Sequence, residues 1–68
     1  MSNVVINDAG QELRVGDVWA LRRGYGLEKM KITALTQLTV ELMSLPMSYI
    51  KTLYEIREIK FIEKISEG

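Results

Sequence analysis

Cysteine and histidine are both missing from this chain. Their absence removes disulfides, the usual zinc ligand sets and histidine-ligated haem as ways of stapling a small fold. It also removes the side chains that most often shuttle protons near neutral pH or attack as thiolates, so neither a Ser-His-Asp nor a Cys-His arrangement is available. The chain therefore reads as a non-enzyme with no cofactor, no metal and no catalytic residue. Proline occurs once, at Pro46, and the aromatics are only Trp19, Tyr25, Tyr49, Tyr54 and Phe61.

An excess of either charge is missing as well: nine Lys and Arg balance nine Asp and Glu. Up to Thr36 there are five basic residues against four acidic ones, and from Gln37 onward four against five. No net field draws the chain toward nucleic acid or an anionic membrane. Apolar runs fall short of the roughly 18 residues that read as a membrane span, and residues 1–7 lack the positive and apolar regions of a secretory signal. The expectation is a cytoplasmic protein with no membrane partner.

What is present is 47% apolar and 26% charged, ordinary for a globular domain and too apolar for a disordered tail. A chain of this length buries only about 60% of the surface its unfolded form exposes, which allows one core. A single domain over residues 1–68 follows, with residues 1–12 as a flexible arm or edge strand and residues 13–65 as the core. Val4-Val5-Ile6 is β-prone and ends at Asn7-Asp8-Ala9-Gly10, whose turn-forming residues stop it. A first long strand is read at residues 17–23, where Val18, Trp19 and Leu21 are strand formers and Gly16-Asp17 marks a bend. Arg23-Gly24-Tyr25-Gly26 supplies glycines for a tight hairpin.

Next, Met30, Ile32 and Ala34 alternate with Lys29, Lys31 and Thr33, as in a half-buried strand. Thr36-Gln37 reads as a turn. Beyond it Leu38, Val40 and Leu42 alternate with Thr39, Glu41 and Met43 in a second such strand. Pro46 lacks a ladder donor and restricts Leu45, so the pattern breaks there. In residues 48–65 the apolar positions spread around the whole helical wheel, which favours a strand at 49–54, one helical turn near 55–58 and a final strand at 59–65. A helix capped by Ser48 is the alternative.

The Val15-Gly16-Asp17-Val18-Trp19 opening, the central hairpin and the short turn before the last strand resemble the SH3-like small β-barrels over about residues 13–65. The Gly-Asp-x-Trp string is also similar to the opening of small bacterial and phage domains of this type, some of them related to KOW modules. The resemblance implies an all-β, five-stranded, strongly bent barrel whose loops or exposed sheet face contact proteins, peptides or nucleic acids, and it implies no catalytic residue. The chain lacks the dense aromatic groove of peptide-binding SH3 domains, so it does not imply a proline-rich ligand.

Several residues invite a functional reading. Glu55 and Glu58 form a carboxylate pair, but so small a domain has little depth to desolvate one, and a solvated turn is the simpler reading. Gly24-Tyr25-Gly26 lacks the Lys-Ser/Thr continuation of a phosphate loop. Asp17 beside Gly16 reads as a cap for turn amides, and Trp19 as a core anchor worth up to about 5 kcal/mol of burial. Arg22, Arg23 and Tyr25 share a hairpin tip that Lys29 and Lys31 extend, and Arg and Tyr are favoured at interfaces. Met43, Leu45, Met47 and Tyr49 form a second patch, where adaptable methionines suit a docking or homo-oligomer surface or cover an open barrel end.

Together these patches point to a non-catalytic protein-binding module, as in a small phage or mobile-element accessory protein. The alternative is a nucleic-acid-binding barrel using Arg22, Arg23, Lys29 and Lys31. A third reading is self-assembly through a strand edge at residues 4–6 or near the C-terminus.

Overall fold

In the computed structural model, residues 4–23, 26–45 and 50–67 are described, Arg23 by its backbone alone. Seven strands and one 3-10 turn are found among them: β1 (Val4–Ile6), β2 (Glu12–Arg14), β3 (Val18–Arg23), β4 (Gly26–Leu35), β5 (Thr39–Ser44), β6 (Lys51–Glu55), the turn Ile56–Glu58, and β7 (Lys60–Ser66). β1 and β2 form a separate antiparallel hairpin; the other five make one antiparallel sheet ordered β6-β5-β4-β3-β7. The molecule is thus all-β. Among the described residues β6 and β7 do not pair, so the sheet keeps two edges and its hydrogen bonds do not close it into a barrel.

β3 begins where the sequence places its bend. Gly16 takes φ 98°, a conformation glycine tolerates without strain, and Asp17 N donates to Arg14 O. The Asp17 carboxylate, 1% exposed, accepts from Arg14 N and meets Lys64 Nζ at 3.4 Å. The cap is therefore also a tie to the last strand. Backbone bonds from Gly16 N to Ile32 O and from Ile32 N to Asp17 O fix the same bend against β4.

The core gathers alternate side chains of the central strands, Trp19, Leu21, Met30, Ile32, Val40 and Leu42, with Leu13 of β2 set into it, and is closed at one end by Ile56, Ile59 and Phe61. Trp19 and Phe61 meet edge to face at 5.4 Å between centroids, and Lys64 Nζ lies 5.6 Å from the Trp19 ring centre. The Trp19 indole N–H is buried without an acceptor among the described residues.

Two expectations from strict alternation are corrected. Ala34 does not share the buried face of Met30 and Ile32. A register shift lies between the pairs Ile32↔Leu42 and Ala34↔Glu41, and Thr33 is the extra residue, its hydroxyl donating to Glu41. Ala34 turns outward and Leu35 packs against the core instead. Leu38 belongs to the turn and not to the following strand: Thr36 N donates to Thr39 O while Thr36 Oγ1 accepts from Leu38 N and Thr39 N, leaving Leu38 78% exposed. After the break at Leu45 the chain forms β6, one 3-10 turn and β7, not a helix capped by Ser48; Pro46 to Tyr49 lie outside the described residues.

Trp19 joins a large buried area to an unsatisfied donor, and these act in opposite directions. Trp19→Phe keeps most of the area and removes the orphan N–H, so it costs less than about 1.5 kcal/mol, whereas Trp19→Ala costs about 3–5 kcal/mol. Urea unfolding followed by circular dichroism measures both, and equal losses would contradict the assignment.

Candidate functional site

The register of β3 and β4 assembles the first surface. Ala20 lies opposite Lys29, Arg22 opposite Leu27 and Val18 opposite Lys31, so Arg22, Lys29 and Lys31 project from one sheet face. Met43 on β5 lies opposite Lys31 and brings part of the methionine patch onto that face, with exposed Leu45 just past the strand end. Among the described residues none of Arg22, Lys29 and Lys31 is in an ion pair. The rest of the expected site, namely the Arg23 side chain, Tyr25, Met47 and Tyr49, lies outside the described residues.

A second surface, absent from the sequence reading, is concave. A groove of about 670 Å³ opens between the β1–β2 hairpin, the β4–β5 turn and the 3-10 turn with the start of β7. Ile56, Ile59 and Phe61 are its buried lining, and Ile6 (63% exposed), Leu38 and Ile62 (47% exposed) stand around it. The hairpin wall is held by its own polar side chains. Asn7 Oδ1 accepts from Ala9 N and Gln11 N, Asn7 Nδ2 donates to Gln11 Oε1, and Gln11 Nε2 donates to Phe61 O at 2.8 Å. That last bond spans fifty positions of sequence and fixes the hairpin against β7.

No periodicity announces this groove, because its lining comes from segments far apart in the chain and its three exposed aliphatics sit singly in turns or strands. The one signal the sequence carries is Leu38, a large aliphatic within the turn between β4 and β5, where polar residues are ordinary. The polar and charged Asn7, Asp8, Gln11, Gln37, Glu55, Arg57 and Lys60 complete the groove's lining. Glu55 bonds Arg57 Nε at 3.4 Å, both residues exposed. Among the described residues no cluster of three or more His, Cys, Asp or Glu is arranged to hold a metal, and no helix is long and apolar enough to cross a membrane.

The Glu58 carboxyl titrates above its ordinary value of 4.5, because Glu55 hydrogen-bonds its protonated form and repels its charge; Arg57 opposes the shift weakly. A carboxyl raised in the folded chain stabilises it below the ordinary value and loses that contribution as pH rises through the raised one. Glu58→Gln, which cannot ionise, should therefore raise the thermal midpoint at pH 7 and leave it unchanged at about pH 3, where Glu58 is already protonated. A gain of equal size at both pH values would contradict the repulsion.

Set against known proteins, the chain matches no family model, no curated protein and no solved structure.

Proposed function

We propose that this chain is a protein-binding module that acts without catalysis, taking a short apolar segment of a partner protein into the groove between the β1–β2 hairpin and the 3-10 turn. One observation carries the reading: Ile6, Leu38 and Ile62 stand exposed around a concavity whose buried lining is also apolar. A lone exposed aliphatic has no meaning on a surface, but three around one depression form a site that excludes water when filled. On the rim Asn7 and Gln11 already bond within the hairpin, while the charged Asp8, Glu55, Arg57 and Lys60 surround the aliphatic centre, the arrangement of an apolar contact with a polar border.

The fold supports the same reading. Four strands in meander, β3 to β6, followed by a 3-10 turn and a last strand returning beside β3, fit the SH3-like arrangement that the Gly-Asp-x-Trp opening implies. Small folds of this kind display loops and end grooves for recognition, as a small accessory protein modulating a partner requires.

A nucleic-acid reading has its own observation, the cations Arg22, Lys29 and Lys31 on one face, in no ion pair among the described residues. Against it, the described side chains beside them, Val18, Leu27, Met43, Lys60 and Glu63, offer no ring for a base to stack on, and Glu63 brings a negative charge to the same face. Two variants separate the readings. Leu38→Asp/Ile62→Asp should reduce capture of the partner protein from lysate at least about tenfold, as expected for charge placed in an apolar contact. Arg22→Glu/Lys29→Glu/Lys31→Glu should leave that capture intact, and labelled oligonucleotide should not shift with the unaltered chain at about 50 mM salt. Unchanged capture by the groove variant, or an oligonucleotide shift with a log-log salt slope near −3 that the triple variant abolishes, would overturn the proposal.

A further inference from the structure

The two edges of the five-stranded sheet are unlike each other. β7 is irregular, with register shifts against β3 on either side of Trp19–Ala20, and its Phe61 carbonyl is taken by the Gln11 side chain. Bulges and side-chain cover are the usual means by which a strand edge is kept from pairing with another chain. β6 has neither. Its five residues, Lys51-Thr52-Leu53-Tyr54-Glu55, pair with β5 from Thr39↔Glu55 to Met43↔Lys51 without a shift.

The direction of its backbone groups follows from the bonds that flank it. Ser44 N donates to Ile50 O and Ile56 N donates to Leu38 O, so the even-numbered residues of this segment aim their amides and carbonyls at β5. Lys51, Leu53 and Glu55 aim theirs at the open side. Their side chains share one sheet face, and Leu53 in the centre is 64% exposed.

We propose that β6 pairs with β6 of a second copy of this chain, antiparallel about a two-fold axis at Leu53. In that register Leu53 lies opposite Leu53 of the other copy, and Lys51 of each copy lies opposite Glu55 of the other. The three open backbone positions then meet as closely spaced pairs, each exchanging two bonds, for about six backbone hydrogen bonds across the axis. Both charge pairs are attractive and the central pair is aliphatic, the combinations that stabilise facing strands. A shift of two residues would set Leu53 against a charged residue, so the sequence of the strand specifies this register. The occupant is a second copy because the complementarity is of the strand with itself, which is what an isologous interface requires. Of the join's residues only Glu55 also lines the groove; Lys51 and Leu53 do not, so Lys51→Glu tests the join apart from the partner-binding reading.

The test is sedimentation equilibrium of the full chain over a concentration series at low ionic strength, where charge pairs are least screened. The unaltered chain should approach the mass of two chains. Lys51→Glu and Glu55→Lys each set like charges face to face at both ends of the join and should weaken association at least about tenfold. An equimolar mixture of these two variants should recover the two-chain mass, because each strand then faces opposite charge; this recovery also shows that both variants fold. A one-chain mass for the unaltered chain at the highest concentration, single variants that associate as well as it does, or a mixture that stays at one-chain mass would each overturn the proposal.

Discussion

The packing of Trp19 and Leu21 on β3 against Phe61 of β7 and Met30 of β4 is the contact on which the rest of this small molecule hangs. With no cysteine to form a disulfide, the chain depends on apolar burial, and β3 is the strand that hydrogen-bonds both β4 and the returning last strand. Lys64 reinforces the same point from outside, reaching the buried Asp17 carboxylate while lying against the Trp19 ring. One residue of β7 thereby registers that strand on both the bend that starts β3 and the ring that anchors it.

The surfaces left over follow from how the remaining elements meet this centre. Among the described residues the β1–β2 hairpin does not pair with the main sheet; it is attached through the fully buried Leu13, through Val5 packed against the core and through Gln11 bonded to the Phe61 carbonyl. Because it stands apart at the end of the sheet, a depression remains between it and the 3-10 turn, and apolar residues on both sides line it. The bulge at Thr33 has a comparable effect on β4, turning Leu35 inward and Ala34 outward and so ending the strand against the turn that presents Leu38.

Much of the strand framework is legible in the sequence, since Met30, Ile32, Val40 and Leu42 alternate cleanly and their faces are the ones buried. The bend at Gly16-Asp17 and the 3-10 turn were readable too, the first from residue type and the second from apolar spacing that fits no helical stripe. Ala34 and Leu38 were misplaced because alternation alone cannot see a bulge or count the residues of a turn. Local alternation puts Lys29 and Lys31 on one face, but joining Arg22 and Met43 to them takes the register of β3 with β4 and of β4 with β5. The groove lay beyond reach for a stronger reason: Gln11 and Phe61, far apart in sequence, determine its walls, and no local pattern encodes that contact.

The claim that β3 is the organising strand is tested most directly by native-state hydrogen exchange on the intact chain. If it is right, the hydrogen-bonded amides of β3 and of its partner segment in β4 open only with global unfolding, while those of the β1–β2 hairpin exchange through smaller openings and much faster. Hairpin amides protected as strongly as those of β3, or β3 amides released by local opening, would contradict it.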